Sequence, residues 1–292
     1  MAKKVIFGGT NSQDLARKVA RKLKAPYANL FVKQFPDGET NLRLPMDVKG
    51  KEVVLINSMH PNPNDSMIEL IFASRTAKEL GAKKVTVVAP YLAYMRQDKR
   101  FYPRECKSNT IMSALMTCCD RIMTIDPHLH RISSLKEIFK ISAKKLSANE
   151  AIAKYIKKNI KNEVIVGPDS ESYQWAEAIA DKIHVHATVL KKKRYTSRHV
   201  RIVVKPGTEF KGKNVVIVDD IISTGHTMIE PIKQIKKMGA KKIYCIGVHG
   251  LFVEGALKML KKLGARVITT NTIQNPTSKI DMSETIAKAL KA

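Results

Sequence analysis

Cysteine is scarce in this chain of 292 residues: Cys106, Cys118, Cys119 and Cys245 are the four it has, and none stands in a C-x-x-C spacing. That argues against a zinc module and a dithiol redox pair, and four unbridged thiols suit a reducing cytoplasm. Aromatic residues are also few, at 6% with a single tryptophan. No aromatic stripe lies beside a basic patch, which a single-strand nucleic-acid binder uses for stacking. No apolar run approaches the ~20 residues that cross a bilayer. The opening residues, Met1 to Gly9, enter a strand-like run too short for a signal-peptide core, so a cytoplasmic location with no membrane contact is expected. Acidic residues are outnumbered, 26 against 52 lysines and arginines, for a net charge of +26. Such an excess suits nucleic acid, an anionic membrane or polyanionic small substrates. The lysines are scattered in pairs with no basic tail. A lysine-rich solvated surface is therefore the main reading, and nucleic-acid binding the minority one.

What is present points to an α/β protein. A hydrophobic content of 44% is ordinary for a globular chain, and the length suits two domains. The sequence also repeats itself. "KKVIFGGTNSQDLARKVARKL" from residue 3 resembles "NEVIVGPDSESYQWAEAIADKI" from residue 162, and "KGKEVVLINS" from 49 resembles "KGKNVVIVDD" from 211. "KELGAKKVTVVAP" from 78 resembles "KKMGAKKIYCIGV" from 236, with Gly81 and Gly239 at the helix C-cap position. The offset stays nearly constant: Val5 to Val164 is 159, Val53 to Val215 is 162, and Gly81 to Gly239 is 158. Strands alternate with helices in both copies, which predicts a mostly parallel sheet in each.

The copies differ where chemistry would sit. The second has Asp219-Asp220 and Pro168-Asp169 where the first has Asn57-Ser58 and Gly9-Thr10. Ligands of open α/β sheets bind at strand ends, so the chemistry is expected in the second copy, with the first as a wall. After the apolar run "VVIV", Asp219 and Asp220 are read as the strand's end, followed by the loop Ser223-Thr224-Gly225-His226-Thr227 and a helix from Met228. Free backbone N–H groups, a glycine and hydroxyls make an anion site. A sugar phosphate fits the segment, the loop taking the 5-phosphate and the carboxylates accepting from ribose hydroxyls. The plainer reading is a capped helix beside an acidic turn. Two carboxylates on a buried strand are costly without a cation or hydroxyl donor, which favours a ligand. "GTEFKGKN" at 207 to 214 imitates a phosphate-binding P-loop but ends in Asn214 and precedes a strand, so it is excluded.

The segment from Val215 to Met228 resembles the phosphoribosyl pyrophosphate (PRPP) motif shared by type I phosphoribosyltransferases and PRPP synthetases. "FPDGET" at 35, "PYLAYMRQDKRF" at 90, "DPHLH" at 126 and "GPDS" at 167 are similar to the successive motifs of the ribose-phosphate pyrophosphokinase family, in order and over nearly the whole chain. The resemblance is to a short form of that family. Residues 281–292 read as a capped helix opened by Ser283 to Thr285, for which the first domain is one packing site. The resemblance implies two tandem type I phosphoribosyltransferase-like domains, 1–146 and 147–280, and a closing loop at about 190–203. It implies ATP and ribose 5-phosphate as substrates, Mg2+ as cofactor, and a dimer-to-hexamer assembly with the ATP site at a subunit interface. Phe35 would stack on adenine, with Asp37 and Glu39 as acceptors. Arg96 and Gln97, following the strand "KVTVVAPYL", would reach ATP; bare, Arg96 and Asp98 read as an exposed ion pair. His128 and Asp169 would meet magnesium, with His130 competing for His128's place. Lys192 and Arg194 would act on the transferring group, Lys191 and Lys193 offering an alternative register. His226 either points outward or adds a donor to the phosphate. The implied reaction is diphosphoryl transfer from ATP to ribose 5-phosphate. Its alternatives are a phosphoribosyltransferase that consumes PRPP and a non-catalytic associated subunit.

Overall fold

The β-branched runs are strands and the patterns between them are helices. The computed structural model describes residues 3–129, 132, 134–169, 172–185, 187–194, 200–203 and 208–291, with the backbone alone for 191–194 and 200–203. The chain divides into two units, Met1–Ser147 with Thr272–Gln274 and Met282–Ala292, and Ala148–Asn271 with Asn275–Asp281.

In the first unit β1 (Lys4–Gly8), α1 (Gln13–Leu23) and β2 (Tyr27–Asn29) lead to a hairpin of β3 (Phe31–Gln34) and β4 (Thr40–Arg43). Then come β5 (Glu52–Ile56), α2 (Pro63–Glu79), β6 (Lys84–Ala89), α3 (Ser108–Leu115), β7 (Arg121–Ile125) and β8 (Ser142–Leu146). The six-stranded sheet has the order β2-β1-β5-β6-β7-β8, parallel throughout. Its central strands are apolar on both faces because helices cover both: Ile6, Phe7, Leu55, Ile56, Val87 and Ile122 are all buried.

The second unit opens on α4 (Asn149–Asn159) and repeats the plan. β9 (Glu163–Gly167), α5 (Tyr173–Ile183) and β10 (Ala187–Val189) precede a hairpin of β11 (Lys191–Arg194) and β12 (Val200–Val203). β13 (Asn214–Ile222), α6 (His226–Lys237), β14 (Lys242–Gly250), α7 (Ala256–Lys262), β15 (Ala265–Thr270) and β16 (Ser278–Ile280) follow. The sheet order β10-β9-β13-β14-β15-β16 is the first sheet's order over again, and its pairs are parallel. Val166, Phe210, Ile217, Ile232, Cys245 and Leu260 form its core. The chain then returns to the first unit as α8 (Ser283–Lys291).

The recurring words of the sequence bond to each other in each unit. Gly50 of the first "KGK" donates its N–H to the carbonyl of Gly81 at 2.8 Å, and Gly212 of the second donates to Gly239 at 2.9 Å. Gly81 and Gly239 have φ of 83° and 82°, left-handed values that a side chain disfavours. These pairs tie the start of one strand to the helix end before its neighbour, and so set the register of β5 on β6 and of β13 on β14.

Candidate active site

The second sheet makes a step where its central strand outruns a neighbour. β13 pairs with β9 as far as Ile217 opposite Val166, but with β14 as far as Ile222 opposite Gly250. Asp219 and Asp220 therefore lie inside a continuing strand and not at its end, as the sequence suggested. Ile221 and Ile222 keep pairing after the acids. Both carboxylates are buried, Asp219 at 7% exposure and Asp220 at 5%. At the end of β9, Gly167 admits the start of α5 so closely that a Cβ there would lie 2.8 Å from Tyr173 Cα. This brings Asp169 and Ser172 over the step.

The polar contacts form one connected set. Ser172, 3% exposed, gives both its N–H and its hydroxyl to Asp169 Oδ1 at 2.8 Å each. The same hydroxyl oxygen is 3.0 Å from Asp219 Oδ1, which also accepts the Asp220 N–H at 3.0 Å. Asp219 Oδ2 has Thr227 Oγ1 at 3.5 Å, and Asp220 Oδ1 accepts the Ile221 N–H at 2.7 Å. Burial, then the charges of Asp220 and Asp169, push the Asp219 carboxyl well above the usual carboxylate range. Burial pushes the neighbouring Cys245 thiol up to about 12, with a contribution from Asp219. Among the described residues no group of three or more His, Cys, Asp or Glu forms a metal cage. Magnesium does not require one, since it takes one or two carboxylates plus substrate phosphates and water.

The loop beside the acids is shorter than the sequence suggested. α6 begins at His226, so Ser223, Thr224 and Gly225 are the connection, and His226 and Thr227 are exposed in the first helical turn. Gly225 takes a φ of 72° at the N-cap, and no side chain caps the helix. Its first amides are left for an anion.

The remaining predicted residues are distributed as follows. Lys192 and Arg194 occupy alternate positions of β11, opposite Ile202 and Val200 of β12; the basic stretch thus forms a ribbon strand. In the first unit Phe35, Asp37 and Glu39 form the exposed turn of the β3–β4 hairpin, with Phe35 50% exposed. Phe35 N–H donates to the Glu39 carbonyl at 2.8 Å, and Asp37 Oδ1 accepts the Glu39 N–H at 3.1 Å. Arg96 and Gln97 do not follow β6 directly. The strand stops at Ala89 because Pro90 breaks it, and the two residues lie further along the connection to α3. Arg96 is exposed, and Gln97 Oε1 faces Cys106 Sγ at 3.8 Å. Asp98 is 8% exposed, so the exposed ion pair with Arg96 is not what forms. His128 is half-buried beyond β7, in the first unit, whereas Asp169 is in the second. His130, Ser170 and Glu171 lie outside the described residues. Sequence reasoning missed Ser172; its one signal was a serine just before the periodic run of α5, where a helix cap belongs.

Comparison with known proteins decides among the classes this geometry allows. Residues 4–119 match the model of the N-terminal domain of ribose phosphate pyrophosphokinase, and residues 134–284 the phosphoribosyl transferase domain. The chain belongs to the ribose-phosphate pyrophosphokinase family. A ribose-phosphate pyrophosphokinase of Sulfolobus acidocaldarius is 33% identical, covering 98% of this chain and 100% of its own. One from Methanobrevibacter smithii is 35% identical with the same coverage. The crystal structure of phosphoribosylpyrophosphate synthetase from Mycobacterium smegmatis superposes with a TM-score of 0.84 at 27% identity, over 99% of this chain and 98% of that one. Both units are thus phosphoribosyltransferase-like α/β domains of this family.

Proposed function

We propose that the protein transfers the diphosphoryl group of Mg-ATP to the anomeric hydroxyl of D-ribose 5-phosphate, giving 5-phosphoribosyl 1-diphosphate and AMP. The observation that carries this reading is the set of Asp169, Asp219 and Asp220 beside an uncapped helix start, in a chain that matches the pyrophosphokinases from end to end. The amides and hydroxyls of Ser223, Thr224, Gly225 and Thr227 grip the 5-phosphate, while Asp219 and Asp220 accept from the ribose hydroxyls. The anomeric oxygen bonds to the β-phosphorus as the bond from that phosphorus to the α,β-bridging oxygen breaks. AMP leaves with that oxygen, and the hydroxyl proton passes to water. Phe35, Asp37, Glu39, Arg96 and Gln97 hold ATP, across a subunit interface of a homo-oligomer. Lys192 and Arg194 stabilise the transferring group. Asp169, with His128, is the residue to hold magnesium, which neutralises ATP phosphate charge; a desolvated acidic cluster fits a hard cation. Such transfers depend chiefly on positioning and charge neutralisation. The free cysteines among the described residues fit a cytoplasmic setting. No helix among those residues is long and apolar enough to cross a membrane.

The test is product analysis with ribose 5-phosphate, Mg-ATP and purified protein, resolving AMP from ADP. AMP equimolar with 5-phosphoribosyl 1-diphosphate is expected, with Asp220→Ala and Lys192→Ala each lowering kcat/KM by roughly 100-fold or more. ADP would mean simple phosphorylation of the sugar and a wrong mechanism. No turnover with ribose 5-phosphate still bound would mean a non-catalytic homologue.

A further inference from the structure

We propose that the cavity between the ends of α6 and α7 is a binding site for an oligophosphate, a chain of three or more phosphate groups. The cavity holds about 510 Å³ and is lined by Lys233, Lys236, Lys237 and Lys262 over an apolar floor of Ile232 and Leu263. That volume is the size of a small-molecule site. None of the four lysines is in an ion pair among the described residues. Glu230, the acid of α6, is held instead by the Gln234 amide at 3.1 Å. From Pro231 to Ile280 the sequence has one acidic residue, Glu254. The plainer reading is that lysines in a last helical turn offset the helix dipole, and Lys236, Lys237 and Lys262 do stand in last turns. Two helix ends carry about one unit of negative charge between them, and four ammonium groups exceed it.

The first unit has the same place with its charge balanced. At the offset that relates Gly81 to Gly239, Arg75, Lys78 and Glu79 of α2 correspond to Lys233, Lys236 and Lys237 of α6. Lys78 Nζ lies 2.9 Å from Asp120 Oδ1, and Asp120 Oδ2 accepts the Val85 N–H at 2.7 Å. Asp120 comes just before Arg121, which pairs with Thr86; the matching pair in the second sheet is Arg266 with Tyr244. Ala265 therefore stands in Asp120's place. The second unit keeps the bases and has neither acid, with alanine for one and lysine for the other. Lysine alone, with no arginine fork and no aromatic ring at the cavity, reads charge density and not the face or edge of a base. A phosphate chain therefore fits better than a nucleic acid. The sugar site lies at the first turn of α6 and this cavity at its last, roughly 15 Å away at 1.5 Å per residue, so the cavity does not depend on the transfer reading.

The experiment is calorimetric titration of tripolyphosphate into the full chain, with inorganic phosphate, uridine triphosphate and a single-stranded RNA as further probes. The cavity variants are Lys236→Ala combined with Lys262→Ala, and Lys237→Glu, which restores the acid of the first unit. Lys18→Glu, on α1, makes the same charge change elsewhere. All four positions are exposed, so the unfolding temperature should hardly move. Each cavity variant is expected to weaken tripolyphosphate binding by about tenfold, because an exposed ion pair contributes modestly and the double variant removes two. Lys18→Glu should leave the affinity within about twofold, and inorganic phosphate, with one phosphate in place of three, should bind about tenfold more weakly or less. Uridine triphosphate held as tightly by the same lysines would give the phosphate chain a nucleotide source, and tighter tripolyphosphate a free one; either result supports the site. No tripolyphosphate binding to the unmutated protein, unchanged binding in both cavity variants, or equal weakening by Lys18→Glu would overturn it. Inorganic phosphate binding as tightly as tripolyphosphate would overturn it too. RNA held through these lysines, with tripolyphosphate not bound there, would overturn it in favour of a nucleic-acid surface.

Discussion

With Asp220 beside it in the strand and Asp169 across the step, the Asp219 carboxyl ionises against two like charges and away from bulk water. Its folded pKa is raised, so between the ordinary carboxylate range and that raised value the native state holds a proton that the unfolded chain has released. Native stability then falls as pH rises through this window, the reverse of the usual salt-bridged aspartate. Asp219→Asn removes the titration while keeping an Oδ1 acceptor for Ser172 and the Asp220 N–H, and it gives Thr227 Oγ1 an amide donor. The variant should unfold at a higher temperature than the unmutated, ligand-free protein at pH 8, and the gap should narrow toward pH 4. Its turnover should be lost. Unfolding scans across that pH range check the sign, and a stabilised but inactive variant is the pattern expected where a site holds strain for its ligand.

The C-terminal helix α8 shows stability at the scale of an element. Met282, just before the helix, and Ile286 are fully buried, and Ala287 and Leu290 are nearly so. The helix packs on α1, with Lys22 Nζ 2.9 Å from Glu284 Oε2 and Lys4 Nζ donating to the Leu290 carbonyl at 2.6 Å. The ion pair is exposed and adds little; the apolar face does most. Ile286→Ala should destabilise the first unit by about 3 kcal/mol, read as a lower urea midpoint, whereas Glu284→Gln should leave the midpoint nearly unchanged. This helix was legible in the sequence because Ser283 to Thr285 form a helix-opening pattern. The parallel strands were legible for the same kind of reason: buried on both faces, they are uninterrupted apolar runs. The β3–β4 hairpin was not, because its strands are four residues each and lie apart from the parallel sheet. The length of β13 was misread since acids usually close a strand, and here the pairing with β14 carries it two residues further. Ser172 was invisible as a site residue, as its role depends on a strand 47 positions away.

At the scale of the whole molecule, one duplicated plan has kept an open strand tip and closed the other. In the first unit several of the groups that would face a ligand bond among themselves, while the Asn57 amide nitrogen is buried without a hydrogen-bond partner among the described residues. Thr10 N–H donates to Glu69 Oε1 at 2.9 Å, Asn11 N–H to Asn57 Oδ1 at 2.9 Å, and the Asn11 amide to Ser66 Oγ at 2.9 Å. Glu69 is 4% exposed, its carboxyl raised by burial, with the Asn57 amide against it. A Cβ on Gly9 would strike both residues, at 2.5 Å from Asn57 Cγ and 2.6 Å from Glu69 Oε1. Glu69 thus plugs the position that the second unit leaves to a ligand, and restoring an aspartate there should not restore a site. Asn57→Asp sets a carboxylate against a buried one, and a cost of about 3 kcal/mol is expected at neutral pH, shrinking as pH falls and one of the two is protonated. Glu69→Gln should recover most of that loss in the double variant, since the glutamine amide can donate to the introduced carboxylate. A double-mutant cycle by urea unfolding measures the coupling. Strong coupling with no gain in ribose 5-phosphate binding would establish that the first unit's strand tip is closed by its own side chains, whereas additive effects would mean that Asn57 and Glu69 are independent and the plug does not exist.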